Sequence, residues 1–379
     1  MTFKVKNHLK KHPKVYKVLQ LINFVLRSKW FPKSFKKNRY PEILQFPITN
    51  RCNAKCVMCN VHQLSSKKEM NLEEFKKVIN DDVFKDIRTV GINGGEPFLK
   101  PDLIMFIEEI LKMEKIESLN IISNGFLTNF ILTQIEAIYL KCKEKNVHFH
   151  ISISLDGYGQ IHDKVRGVNQ SFEKTLMTIQ EIAKNSTKYC DTYDIGCTIV
   201  KQNVDYLVEL DSFAARKGFK IKYRLGIENN RLNNQELKDK YSVIDDPHFK
   251  QSSAEFLFSM IFKAETIYEK FKYYSLFSFL SHSSKRKLGC DWKEKGITLD
   301  GEGNIYYCAV KSPCLANLKE RRGKEVLFSS KAVKEKKKIM DLYCENCIHD
   351  YYGTPDLKNV LRFLKFIYQN KMWIKKYRR

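Results

Sequence analysis

The sequence predicts an α/β protein whose core is a parallel sheet of six βα units curled into a partial (β/α)6 barrel of the TIM type. Two observations carry that expectation. Between residues 43 and 225, short β-branched runs alternate with amphipathic helical patterns, six units in about 180 residues. Motifs rich in Cys, Gly, Asn and Asp fall just past the β-branched runs, where the strands of such a fold end and its chemistry gathers.

The elements follow in order. Strands are expected at 43–49, 88–93, 119–123, 148–155, 193–200 and 220–225, with helices at 71–80, 101–112, 128–143, 171–183 and 204–217. Asn71 and Glu74 have the spacing of a capping box, and Pro101 suits a first helical turn. Past Leu225 the pattern changes. Residues 226–250 are polar and loop-like, 254–282 are aromatic-rich and helical, and 296–310 read as a β-hairpin turning at Asp300-Gly301-Glu302-Gly303. The expected division is a basic amphipathic segment at 1–42, the barrel at 43–225, a linker and helical region at 226–289, a cysteine-bearing module at 290–350 and a basic helix at 351–379.

Composition bounds the function. With 379 residues, 43% of them hydrophobic, the chain can bury a large core. Its most apolar stretches, 18–26 and 256–262, are too short to span a bilayer, and the basic N-terminus lacks the apolar run and small-residue site of a secretory signal. A cytoplasmic location is therefore expected, and the eleven cysteines read as metal ligands and free thiols. The net charge of +24 is uneven. Residues 1–40 hold 12 Lys/Arg and no acid, residues 356–379 hold 8 Lys/Arg and one acid, and the two ends supply 19 of the 24 charges. These ends want an anionic partner.

The segment after the first strand carries Cys52, Cys56 and Cys59 in the spacing Cys-x3-Cys-x2-Cys. Three thiolates on one loop can hold three irons of a [4Fe–4S] cube and leave the fourth open. On spacing alone, a zinc site completed by His62 also fits. Further motifs close the later strands: Gly94-Gly95-Glu96-Pro97, Ser123-Asn124-Gly125, and Ser154-Leu155-Asp156-Gly157 followed by His162-Asp163 and Arg166-Gly167. Taken singly, each could be an ordinary turn.

In this order, at successive strand ends, the motifs resemble the radical S-adenosylmethionine superfamily. One departure is Met58, where that family has an aromatic residue before the third cysteine. The resemblance implies that Cys52, Cys56 and Cys59 hold the S-adenosylmethionine-binding [4Fe–4S] cluster. It implies that Gly94, Gly95 and Glu96 meet the methionine ammonium, and that Ser123, Asn124, Ser154, Asp156 and Arg166 line the ribose and carboxylate. Reductive cleavage of the sulfonium to a 5′-deoxyadenosyl radical, followed by hydrogen abstraction, is the implied chemistry.

A second set comprises Cys290, Cys308, Cys344 and Cys347, with four residues between Gly303 and Cys308. Zinc and an auxiliary cluster both suit four thiolates. Its arrangement resembles the SPASM/twitch extensions of radical enzymes. With no cysteine after Cys347, the single-cluster, twitch-like form, a β-hairpin plus helix, is the closer likeness. Cys314 is an unassigned fifth candidate, and Cys142, Cys190 and Cys197 read as buried, inert thiols. An auxiliary [4Fe–4S] cluster suits two-electron oxidation, for which a base is needed. Asp291 is the candidate, with a capping or surface aspartate as the alternative.

These expectations lead to a radical oxidoreductase of a carbohydrate or cyclitol, including a lipid-linked glycan. The alternatives are a peptide-modifying maturase and a zinc-binding protein without catalysis. Only 42 residues precede the first strand, which weighs against a leader-peptide recognition domain. A one-electron reductant such as flavodoxin or ferredoxin is an expected partner. In both basic ends, apolar residues fall at helical spacing (Val15, Val18, Leu19, Ile22, Val25 and Leu26; Val360, Leu361, Leu364, Ile367 and Tyr368), with Trp30 and Trp373 nearby. They read as helices packed on the barrel or lying on the anionic inner membrane face. No RNA-binding module is recognisable, and nucleic acid is not an expected partner.

Overall fold

A computed structural model describes residues 13–28, 39–282, 285–349, 351 and 353–370, with side chains from Val18 onward. Trp30, Trp373 and the side chain of Val15 lie outside the described residues. The chain divides into two compact units, one of Lys36–Asp246 and Trp292–Cys344, the other of Met1–Phe35, Pro247–Asp291 and Glu345–Arg379.

The larger unit is built on a nine-stranded sheet. Six strands follow the predicted positions: β1 Ile43–Thr49, β2 Thr89–Gly94, β3 Ser118–Ser123, β4 His148–Ser154, β5 Thr192–Ile199 and β6 Ile221–Leu225. Each pairs in parallel with the next, as βα crossovers require. Three short strands, β7 Gly296–Leu299, β8 Asn304–Tyr306 and β9 Ala316–Asn317, extend the sheet beyond β1 in the order β6-β5-β4-β3-β2-β1-β7-β8-β9. The expected hairpin is thus present as β7 and β8, but it is no separate layer. Its first strand lies parallel to β1, and the hairpin prolongs the barrel wall.

The longer helices of this unit are α2 Leu72–Ile79, α3 Leu103–Ile110, α4 Thr128–Glu144, α5 Gln160–Arg166, α6 Ser171–Lys184, α7 Leu207–Arg216 and α10 Ser330–Tyr343. Alternation along β1 places Phe46 toward the helices, where it stacks on Phe75 of α2 at 5.1 Å, and Phe75 stacks on Phe106 of α3 at 4.5 Å. The capping box of α2 is formed by both of its bonds, Glu74 N to Asn71 at 2.9 Å and Asn71 N to Glu74 at 3.0 Å. Pro101 is a correction: it lies in the turn ahead of α3, which starts at Leu103 after Asp102. Residues 204–206 likewise form a 3-10 turn before α7.

The smaller unit is helical: α1 Pro13–Arg27, α8 Pro247–Lys263, α9 Ile267–His282 and α11 Leu357–Gln369. Its core is aromatic. Phe24 of α1 meets Phe271 of α9 at 5.3 Å and Phe363 of α11 at 6.3 Å, and Tyr274 lies 4.9 Å from Phe366. Both basic ends therefore bury one face against the 254–282 segment, and Val360 and Phe363 are fully covered.

Candidate active site

The cysteine loop leaves β1 through a register shift between Pro47 and Thr49 and is then fastened on three sides. First, the end of β2 is zipped to it. Gly95 N donates to Thr49 O at 2.7 Å and Glu96 N to Arg51 O at 2.8 Å. A Cβ on Gly95 would stand 2.1 Å from Arg51 O, so only glycine permits this approach. Second, the C-terminal turn of α5 flanks Cys56, with Lys55 N donating to Arg166 O and Val57 N to Val165 O, both at 2.9 Å. Third, residues 229–234 close over the far end. Asn60 N donates to Leu232 O at 3.1 Å and Asn234 Nδ2 to Met58 O at 2.9 Å.

Cys52, Cys56 and Cys59 are all partly exposed and in no disulfide. Burial pushes the Cys52 thiol up to about 12, and negative charge on Cys56, Glu96 and Cys59 adds to the rise. Burial likewise holds Cys56 at about 11, against the lowering pull of Arg166. The three sulfurs thus lie close enough to feel one another. Iron binding must displace their protons and offset their mutual repulsion. Among the described residues, no group of three or more His, Cys, Asp or Glu is placed to hold a single metal ion. A loop-borne trio of thiols fits three corners of a cubane cluster, and Cys52, Cys56 and Cys59 are the residues that would hold it.

Glu96 is fully buried at the strand end beside this loop. It accepts from Ser123 Oγ at 2.9 Å, Asn124 N at 2.8 Å and Phe98 N at 3.3 Å. Burial pushes its carboxyl up to about 7 despite these donors. A carboxylate in such a place has room for a cation's positive charge. Ser123 and Asn124 position Glu96 here, and Asn124 Nδ2 also donates to Asn53 on the cysteine loop at 2.7 Å.

Asp156 and Arg166 form a buried ion pair at 2.6 Å. Asp156 also accepts from Thr198 N at 2.6 Å, joining β4 to β5, while Arg166 Nη1 donates to Cys56 Sγ at 3.6 Å. The guanidinium expected to grip a ligand carboxylate is therefore engaged by Asp156 and Cys56. His162 accepts from Asp156 N at 3.0 Å, and burial, helped by Arg166, drives its pKa well down, so the ring is neutral. Ser154 ends β4, half-buried. Met58 is buried and packs with Val165, Val200 and Tyr241.

Sequence reasoning passed over Asn203, Asn229 and Asn234. Asn203, fully buried, donates to Asp156 O at 2.7 Å and Thr198 O at 2.8 Å. Four asparagines among residues 229–234 were the available signal in a stretch read as linker.

A cavity of about 510 Å3 opens near the end of β1, lined by Pro47, Asn50, Arg231, Thr298, Tyr306 and Cys314 among others. Thr298 is 1% exposed, and its Oγ1 has no hydrogen-bond partner. Cys314 thus lies on the cavity wall. Of the second cysteine set, Cys308 and Cys344 belong to the larger unit, and Cys290, Cys347 and Asp291 to the smaller. In the smaller unit Arg286 donates to Cys347 O at 2.9 Å and His349 O at 2.6 Å. Gly353 packs so closely on Cys290 N and Asp291 N that a Cβ would stand 2.5 Å from each. Cys142, Cys190 and Cys197 are buried, as expected.

A profile of the radical SAM superfamily matches residues 46–214. The GTP 3′,8-cyclase of Aliarcobacter butzleri is 26% identical over 212 residues, 53% of this chain and 62% of that protein. The antilisterial bacteriocin subtilosin biosynthesis protein AlbA of Bacillus subtilis is 31% identical over 150 residues, 38% of this chain and 31% of that protein. The chain spans about half the length of the curated relatives it matches. Among solved structures, native anSMEcpe with bound AdoMet aligns with a TM-score of 0.56 at 17% identity over 88% of this chain and 98% of that one. Streptococcus suis SuiB bound to S-adenosylmethionine aligns at 0.53 and 17%, over 78% and 67%. These likenesses show the fold.

Proposed function

We infer that this chain, whose residues 46–214 are a radical SAM superfamily domain, is an enzyme that cleaves S-adenosylmethionine and abstracts a substrate hydrogen. The observation that carries the reading is the zipped loop and strand end, which bring Cys52, itself within reach of Cys56 and Cys59, beside the buried Glu96. Bound there, cluster and S-adenosylmethionine supply one-electron sulfonium cleavage to a 5′-deoxyadenosyl radical. The chain's own part is to hold three thiolates, to offer the Glu96 carboxylate to the methionine ammonium, and to keep Arg166 against Cys56. A flavodoxin- or ferredoxin-type reductant is the proposed electron donor.

For the substrate, a peptide is the first class. It draws support from AlbA, whose name is that of a bacteriocin biosynthesis protein, and from structural neighbours solved with peptides bound. A carbohydrate or cyclitol is the second, supported by the cavity wall of amide, hydroxyl and charged side chains, which matches a polyhydroxylated ring. A small precursor gene beside this one would favour the first class, glycan genes the second. The proposed setting is the cytoplasm, at the inner face of the membrane.

The test is anaerobic reconstitution followed by dithionite and S-adenosylmethionine. Wild type is expected to release 5′-deoxyadenosine, and the combined Cys52→Ala, Cys56→Ala, Cys59→Ala variant to release none. Release by the variant, or zinc in place of iron and sulfide in wild type, sinks the assignment.

A further inference from the structure

We propose that the outward face of α1 is a docking surface for anionic lipid, seating the protein on the membrane by an apolar line within a strongly basic stretch of sequence. This deepens the membrane placement proposed above and does not depend on the radical chemistry.

The inner side of α1 is already occupied. Phe24 is 1% exposed and stands edge-on to Tyr268 at 5.0 Å, while Asn23 Nδ2 donates to Tyr268 Oη at 3.1 Å. That anchorage fixes which face points outward. On it, Val18 (56% exposed), Ile22 (47%) and Leu26 (69%) follow one another at intervals of four, a single line along the helix, with Leu21 (36%) alongside. Scattered surface aliphatics need no explanation, but a contiguous line of them on one helix does. In α11 of the same unit, Val360 and Phe363 are buried, whereas Leu361 (55%) and Tyr368 (67%), two turns apart, are exposed.

Charge complementarity selects the occupant. The first 40 residues contain 12 Lys/Arg and no acid, and Lys358, Arg362 and Lys365 of α11 are exposed. An apolar helix face within a basic stretch of sequence is the pattern of a helix lying in a lipid interface, where aliphatic side chains enter the acyl boundary and cations meet phosphate. Nucleic acid would use the cations but has no use for the aliphatic line. No helix among the described residues is long and apolar enough to cross a membrane, so the contact is peripheral.

The experiment is flotation of the full chain with vesicles of phosphatidylcholine containing phosphatidylserine and, in parallel, of phosphatidylcholine alone. Wild type is expected to float with the anionic vesicles, less so in high salt, and to stay behind with the neutral ones. Ile22→Glu combined with Leu26→Glu, at exposed positions that leave Phe24 in place, should lower partitioning by about tenfold or more. Its thermal unfolding should match wild type, which separates lost docking from lost folding. Equal flotation of wild type and variant overturns the proposal, as does equal binding to neutral vesicles. Capture on poly-glutamate without vesicle binding also overturns it, marking the face as a site for an acidic protein. Formation of 5′-deoxyadenosine should be the same in wild type and variant, so failure here and failure of the radical chemistry are separately readable.

Discussion

At the residue scale, two buried carboxylates, Asp156 and Asp194, are each held by named partners. Arg166 lies between Asp156 and Cys56, so its loss strands a fully buried carboxylate. Arg166→Gln should destabilise the chain by about 3–5 kcal/mol in urea unfolding, the usual cost of breaking a buried pair from one side. Arg166→Lys keeps the charge and should lose less, though a single ammonium cannot bond Asp156 and Cys56 in the same fork. In reconstituted protein, removing this cation beside Cys56 should make the cluster harder to reduce, read as a more negative midpoint potential by electron paramagnetic resonance titration. An unchanged potential with weakened S-adenosylmethionine binding would return Arg166 to the carboxylate role. Asp194 supplies a pH test away from the cluster. Burial opposes its ionisation, but His150 at 3.0 Å, Ser152 at 2.6 Å and Lys222 at 2.5 Å win, and its carboxyl stays well below the usual carboxylate range. A depressed folded pKa stabilises above the unfolded value of about 3.9 and is lost as pH falls below it. Asp194→Asn should therefore cost about 2 kcal/mol at pH 7, and the gap to wild type should narrow below about pH 4. A gap that stays constant through that range would show that the ion pair is not its source.

At the scale of elements, the site is made by strand ends and loops touching each other, and the sequence showed these unequally. Buried apolar residues recur at alternate or successive positions along each strand, such as Leu119 and Ile121 in β3, which is why β1 to β6 could be placed within a residue or so. The capping box of α2 was legible because both partners lie within four residues. Contacts over long separations left no local trace. Asn234 reaches Met58 across 176 positions, and β7 joins β1 in parallel although the hairpin itself is local. Met58 shows the same limit. It stands where the family has an aromatic residue, and its place is decided by Val165, Val200 and Tyr241, which no short motif reveals. The strand-end motifs were visible as residues, but their division of labour was not, since Ser123 and Asn124 act on Glu96. The zip between β2 and the cysteine loop yields an element-scale prediction. Gly95→Ala drives a methyl into Arg51 O, and Gly94 beside it already has φ +147°. The loop must shift, at a cost of about 1–3 kcal/mol, and iron retained per chain after reconstitution should fall although no cysteine has changed. Wild-type iron content in Gly95→Ala would show that the zip does not position the ligands.

For the whole molecule, the distribution of charge and of cysteines follows the chain's two compact units. The charged ends belong to the smaller unit, with its aromatic core, and the Cys52–Cys59 loop to the larger. The second cysteine set is Cys290, Cys308, Cys344 and Cys347. We propose that these four carry an auxiliary [4Fe–4S] cluster, as their likeness to a twitch-type extension implies, with Asp291 as the base of an oxidative step. Thiolate ligation is cooperative with assembly: one missing ligand weakens a cluster, and four missing ligands remove it. Reconstituted wild type should then hold about eight irons and eight sulfides per chain, and the Cys290→Ala, Cys308→Ala, Cys344→Ala, Cys347→Ala variant about four of each. That variant should still release 5′-deoxyadenosine with dithionite, because Cys52, Cys56, Cys59 and Glu96 are intact, while substrate turnover is lost. Asp291→Asn should keep both clusters and lose turnover alone. Four irons in wild type, or full turnover in the four-cysteine variant, would remove the auxiliary cluster and leave a radical enzyme whose second cysteine set is structural.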